Sequence, residues 1–304
     1  MHKLDAMPQP LQRCSALEYT VFRGSDALAD GLLSPKALRG PGWTRLRYDV
    51  YADPRLERDH ELACRAAALV LPDHAVIAGR SAAFLLGVEH AASFTDDVCV
   101  IVPPDDRRPR ERLVVHRTEL DPADIDVMSF ARRTTALRTA WDVAAWEDKP
   151  TAVAILDTML RQHLVTGAQL ATMLTNRRGR RGIKRAQWAF GLADPRPQSP
   201  QESRMRVRLV LAGLPRPVPQ YPVHLPSGLV LHPDVAWPEY RVGAEYDGEW
   251  HAEDRAMDLD RRRGNKLTSN EWLIVHATKH RMGRGFPGFV REVRDTLIAR
   301  GWRP

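Results

Sequence analysis

Short runs of alternating apolar and polar residues, separated by apolar residues at helical spacing, organise this 304-residue chain. Period-two alternation marks a strand with one buried face, and apolar recurrence every three or four residues marks a helix. Near the start, Ser25 reads as the N-cap of a helix through Asp26–Asp30 that Gly31 ends. Ser34 caps a second short helix with Pro35 at its first position, where the missing N–H costs nothing. After the turn Gly40-Pro41-Gly42, Trp43–Tyr51 alternates as one strand. Thr44, Leu46, Tyr48 and Val50 fall on one face, and Trp43, Arg45, Arg47 and Asp49 on the other.

Further along, Ala78–Gly87 opens an apolar helix, and Val98–Val102 and Leu113–His116 read as strands joined by the basic loop Asp105–Arg112. Trp141–Trp146 and Ala152–Leu160 read as amphipathic helices. The stretch 193–200 carries three prolines in eight residues and reads as a linker or a tight crossing. These signals predict an α/β chain, α+β overall, in three parts: residues 1–60, 61–195 and 196–304.

Composition narrows the function classes. A hydrophobic fraction of 43% supports real cores, while 27% charged residues and a mean hydropathy of -0.39 exclude a membrane protein. No apolar run reaches the roughly 18 residues of a spanning helix, and no signal-peptide pattern opens the chain, so the expected compartment is the cytoplasm. Cys14, Cys64 and Cys99 lie far apart, which leaves no disulfide framework and no thiolate zinc site. The 45 basic and 38 acidic residues give +7, which favours an anionic partner such as nucleic acid. Only six of those basic residues are lysine, so codon bias in a GC-rich genome is a competing source of the charge.

Placement of the charge sharpens this. Lys36 and Arg39 lie on the second short helix, and Arg45 and Arg47 on the outward face of the strand after it. A basic helix followed by a strand with outward arginines is how a winged helix meets a DNA backbone; a solvated helix pair with a salt-bridged hairpin explains the same residues. Arg177, Arg178, Arg180, Arg181, Lys184 and Arg185 form the densest basic run, either a solvated loop or a set of phosphate contacts led by Arg178 and Arg181.

The sharpest chemistry lies in the last hundred residues. His232–Trp237 and Val242–Asp247 read as two strands joined across Pro238-Glu239-Tyr240-Arg241. Pairing Trp237 with Val242 puts Asp234 opposite Glu245, with Cβ atoms ~4.5–5.5 Å apart. Asp247 joins Glu245 on its face, and the opposite face collects Val235, Trp237, Val242, Ala244 and Tyr246 as core residues. Facing acids repel, and a hard divalent cation such as Mg²⁺ or Mn²⁺ turns that repulsion into binding. The small neighbours Ala236 and Gly243 leave room for a phosphate. A solvated acidic face is the alternative.

The first 190 residues resemble abortive-infection type IV antitoxins, through Val21-Phe22-Arg23-Gly24-Ser25-Asp26-Ala27-Leu28, the Arg45–Tyr51 strand and the Gly79–Gly87 helix. That resemblance implies a DNA-binding winged helix over 1–60, an antitoxin-like α/β domain over 61–195, and a toxin as partner. The last unit resembles the PD-(D/E)xK nuclease superfamily, specifically bacterial domains similar to very-short-patch-repair endonuclease. Pro233-Asp234, Glu245-Tyr246-Asp247-Gly248-Glu249-Trp250-His251, Asp260–Leu267 and Glu271–Val275 carry the likeness. It implies a restriction-endonuclease-like fold over 196–304, a mixed central sheet flanked by helices.

By this second resemblance Asp234 and Glu245 are paired metal ligands. Glu202 matches the family's acid on the preceding helix, although Ser199-Pro200-Gln201-Glu202 is equally a capping box. Asp247 replaces the family's usual lysine. His251 is then the candidate acid or base, and Arg262 and Lys266 on the next helix supply positive charge to a phosphate. The leading expectation is a Mg²⁺-dependent DNA endonuclease or nickase with its own DNA-binding module. The rival is a DNA-binding regulator or antitoxin-like repressor whose nuclease fold is inactive, and RNA is an alternative substrate.

Overall fold

The computed structural model describes residues 14–106, 111–226, 228–247 and 271–304. The fold is α+β, in two compact units, residues 1–139 and 140–304. Among the described residues no helix is long and apolar enough to cross a membrane.

In the first unit, β1 (Val21–Arg23), β2 (Thr44–Arg47) and β3 (Val50–Ala52) form an antiparallel sheet in the order β1-β3-β2. Helices α1 (Gly24–Ala29) and α2 (Pro35–Leu38) join it around a core of Leu17, Phe22, Ala27, Leu33, Leu38 and Trp43. Ser34 caps α2 as its sequence predicts, its Oγ accepting from the Ala37 N–H at 3.2 Å.

Trp43–Tyr51 is not one strand. Asp49 adopts φ 56° and turns the chain, so Val50 is fully buried while Tyr48 is 83% exposed at the tip. The turn puts the Asp49 carboxylate at the start of α1, where it accepts from the Ser25 N–H at 2.8 Å and the Ser25 hydroxyl at 2.6 Å. Because the hairpin supplies this cap, α1 begins at Gly24, ahead of the predicted cap Ser25. Gly24 is needed there: a Cβ would stand 2.7 Å from the Tyr51 ring.

The rest of this unit is a five-stranded mixed sheet ordered β6-β5-β4-β8-β7, from β4 (Val76–Ile77), β5 (Val98–Val102), β6 (Leu113–Arg117), β7 (Ile125–Val127) and β8 (Arg132–Thr134). Strand β5 is buried along its length under α3 (His60–Ala68) and α4 (Gly79–Leu85). His60 lies between those helices, with Nδ1 2.7 Å from the Ser93 carbonyl and Nε2 2.7 Å from Ser81 Oγ. A carbonyl only accepts, so Nδ1 carries the proton and Nε2 accepts from the hydroxyl. Ser81 Oγ in turn accepts from the Cys99 N–H at 2.9 Å. Burial holds the His60 imidazole below the ordinary histidine range, and burial likewise takes His116 on β6 down to about 4.

The second unit opens with a helical layer: α5 (Ala136–Trp146, begun at the end of the first unit), α6 (Lys149–Arg161), α7 (Gly167–Asn176), α8 (Ile183–Leu192) and α9 (Pro200–Leu211). Helix α6 is not amphipathic. Every residue from Ala152 to Met159 is buried, because α8 and α9 both pack on it. Asp157 within it meets Arg206 of α9 at 2.7 Å, each side chain only 1% exposed. The second Asp157 oxygen accepts from the Asp194 N–H at 2.8 Å, which makes the proline-rich stretch a tight crossing.

Four strands follow in the order β14-β13-β12-β9, namely β9 (Val218–Pro219), β12 (Val235–Trp237), β13 (Val242–Asp247) and β14 (Leu273–Thr278). A separate hairpin of β10 (Val223–His224) and β11 (Val230–Leu231) lies between β9 and β12 in sequence. Strands β13 and β14 run parallel, and β12 is antiparallel to both its neighbours. One sheet face carries Val235, Trp237, Val242 and Ala244. These residues share a core with Met205 and Leu209 of α9 and with Phe289, Val293 and Leu297 of the C-terminal helix Phe286–Ala299.

Candidate functional site

The β12–β13 hairpin has the register its sequence predicts: Val235 opposite Ala244, Ala236 opposite Gly243, Trp237 opposite Val242. The connection is the single turn Pro238–Tyr240, closed by Arg241 at φ 52°. Continuing that register by one pair sets Asp234 opposite Glu245. The predicted apolar set packs inward, with Tyr246 half-buried against it, so alternation sends Glu245 and Asp247 to the other face.

Helix α9 brings the next acid. Ser199 caps it, its Oγ accepting from the Glu202 N–H at 3.2 Å. In a full capping box the Glu202 carboxylate would return to the Ser199 amide. Here it reaches one residue further and accepts from the Gln198 N–H at 2.8 Å. That reach leaves Glu202 facing β9, where Gln220 Nε2 donates to Glu202 Oε2 at 2.9 Å and to Asp234 Oδ1 at 3.4 Å. The other Asp234 oxygen accepts from the Tyr246 N–H at 2.7 Å. One amide thus stands between two carboxylates, with Glu202 and Glu245 both buried. Gln220 holds φ 51°, a left-handed conformation costly for a side-chain-bearing residue.

On the β14 side, Glu245 pairs with His276 and Asp247 with Thr278. Parallel partners share a face, and His276 Nδ1 lies 3.2 Å from Asp247 Oδ1. Glu202, Asp234, Glu245, Asp247, Gln220 and His276 therefore gather around one end of one sheet. The donor set is hard carboxylate oxygen, the chemistry Mg²⁺ and Mn²⁺ take. Among the described residues no three His, Cys, Asp or Glu side chains stand as a metal ion would hold them. An ion bridging Glu202 and Asp234 must move the Gln220 amide aside.

The expected room for a phosphate over Ala236 and Gly243 is not there. A Cβ on Gly243 would sit 2.7 Å from Ile274 Cδ1 and 3.2 Å from Pro233 Cβ. Ala236 is fully buried in a small second core with Val223, Leu225, Leu231 and Trp272. The small residues seat those apolar neighbours. His251, Arg262 and Lys266 lie outside the described residues.

No family model matches the chain. Two relatives from Mycobacterium tuberculosis, the uncharacterised proteins MT2308 (strain CDC 1551 / Oshkosh) and Rv2248 (strain H37Rv), are each 34% identical over 241 residues, 78% of this chain and 86% of theirs. The chain belongs to their family. A solved structure, the RV2827C protein of the same organism, superposes with a TM-score of 0.41 at 16% identity, over 69% of this chain and 86% of that one.

In this family member the basic residues of the first unit divide. Lys36, Arg39 and Arg45 are exposed, with Arg45 stacked 5.8 Å from the Tyr48 ring centre at the hairpin tip. Arg47 is spent on structure: its guanidinium donates to the Glu111 and Arg112 carbonyls, each at 3.0 Å. In the second unit Arg178 and Arg181 are exposed in the turn between α7 and α8, while Arg177 lies over Trp141.

Proposed function

We propose that the chain is a DNA-binding protein whose second unit is a divalent-cation-dependent phosphodiesterase acting on DNA. The observation that carries this reading is the convergence of Glu202 from α9, Asp234 from the start of β12 and Glu245 from β13. Asp234 and Glu202 share one amide nitrogen, and Asp234 stands across the hairpin from Glu245. This is the arrangement the PD-(D/E)xK resemblance calls for, reached from three separate elements. Those three acids would hold the ion, and an ion there supplies Lewis-acid polarisation of the scissile phosphate.

The chain's own residues do the rest. Gln220 spaces the two carboxylates, the Tyr246 amide orients Asp234, and the exposed Lys36, Arg39, Arg45 and Tyr48 of the first unit take the duplex backbone. Arg178 and Arg181 offer further phosphate contacts. A second reading, a DNA-binding regulator with an inactive nuclease fold, is favoured by Asp247 in place of the family's lysine.

Supercoiled plasmid incubated with the whole protein in Mg²⁺, Mn²⁺ or EDTA separates the two. Metal-dependent nicking that Asp234→Asn abolishes supports the nuclease; duplex binding without any nicking supports the regulator. Replacing Lys36, Arg39 and Arg45 together with alanine should flatten the salt dependence of duplex binding by about 0.9 in log–log slope for each phosphate contact removed. An unchanged slope removes the first unit from the DNA interface.

A further inference from the structure

We propose that His276 is the general base of this site and that Asp247 is its positioning residue; this rests on the nuclease reading above. The two side chains come from adjacent parallel strands, with Nδ1 of His276 3.2 Å from Oδ1 of Asp247. His276 is the registered partner of Glu245, so the imidazole stands on the face that carries the acids. Its side chain is 40% exposed, open to water, whereas His60 is enclosed between Ser81 and Ser93.

A carboxylate at Nδ1 accepts the ring proton and places the lone pair on Nε2, the same logic by which an aspartate orients a catalytic histidine elsewhere. This gives Asp247 a task. An acid at the position where the resemblance expects lysine cannot stabilise a phosphate directly, but it is what a neighbouring histidine needs in order to work as a base.

In the step, His276 Nε2 takes a proton from water as the water oxygen bonds to phosphorus. The phosphorus–oxygen bond to the leaving sugar then breaks. The leaving oxygen keeps that electron pair and takes a proton from solvent, and the imidazolium returns its proton to solvent. One water and one diester become one alcohol and one phosphate monoester.

The test compares whole wild-type protein with His276→Ala and Asp247→Ala. In Mn²⁺, His276→Ala should slow plasmid nicking by at least about 100-fold. Mn²⁺ affinity by calorimetry should hold within about twofold, and added imidazole should restore cleavage. In metal-free protein, ¹⁵N NMR should show His276 protonated at Nδ1, and Asp247→Ala should abolish that preference. The proposal is overturned by a His276→Ala variant that nicks like wild type, by a parallel loss of Mn²⁺ binding, by failure of imidazole rescue, or by a proton on Nε2. Wild-type protein that nicks under no metal is a different result: it removes the nuclease reading itself, and the base with it.

Discussion

Helix α9 carries two charged residues one turn apart that meet opposite environments. Arg206 is buried and engaged by Asp157 of α6 and the Leu192 carbonyl, at 2.7 and 2.6 Å. Glu202, four residues earlier, is the ordinary helical partner for such an arginine. It turns instead to the Gln198 and Gln220 amides. Both groups are nearly removed from water, yet one is met by a full opposite charge and the other by neutral donors. Burying a charge is tolerated only when it is paired or well hydrogen-bonded. The Asp157–Arg206 pair meets that condition with charge and locks α9 to α6. Glu202 meets it with amides, and its charge stays available to a cation.

The most forceful way to break this contrast is to remove Asp157. Asp157→Ala leaves Arg206 buried and unpaired and should cost about 3–5 kcal/mol in urea unfolding. The double variant Asp157→Met with Arg206→Leu should recover most of that. A single-variant loss under about 1 kcal/mol would put the pair on the same footing as an exposed one.

The first unit shows another way of burying a titratable group, by keeping it neutral. His60 and His116 both titrate below their unfolded value, so the neutral form is favoured in the fold. Their stabilisation is complete above the ordinary histidine range of about 6.5 and declines as pH falls below it. For His116 the decline runs down to about 4. Each group should take up to about 1.4 kcal/mol per pH unit through that window. His116→Gln should flatten the pH dependence of the urea midpoint between 6.5 and 4.5, and an unchanged curve would show the imidazole already charged in the fold.

The smallest effects belong to the acidic face. Asp234→Asn should raise stability in EDTA by about 0.2–1 kcal/mol, by relieving the opposition to Glu245. In Mg²⁺ the order should invert, since only wild type gains from the ion. Glu202→Gln should melt within about 1 kcal/mol of wild type, because an amide oxygen still accepts from Gln198, while weakening Mg²⁺ binding. A wild-type melting temperature indifferent to Mg²⁺ would make the acidic face an ordinary polar surface.

The site was legible where its signal is local. Asp234, Glu245 and Asp247 follow from alternation and one short turn, and the register they imply is the register observed. Glu202 was legible only as a cap, since both roles ask for the same residue three positions after Ser199. Gln220 was invisible: it follows a two-residue strand and owes its position to a left-handed backbone that nothing in its type announces. His276 was missed because its partner lies 29 residues back, across a parallel pairing whose register no turn dictates. The hairpin at Tyr48-Asp49 was misread because the apolar–polar alternation runs through the turn unbroken, and only φ at Asp49 divides it. Gly243 and Ala236 show the opposite error, small size read as a hollow where it is a seat for Ile274, Pro233 and Trp272.

The Asp49 cap has a further consequence for the hairpin tip. Its carboxyl is held below the usual carboxylate range chiefly by the Ser25 hydroxyl, so the clamp persists into mildly acidic solution. Through it, the backbone beside Tyr48 is fastened to the first turn of a helix. Loops that must be ordered on contact spend part of their interaction energy on that ordering, about 0.5–1.5 kcal/mol for each immobilised side chain. A tip braced at its base has made much of that sacrifice during folding, and it meets a partner as a fixed shape, selecting by fit more than by adaptation.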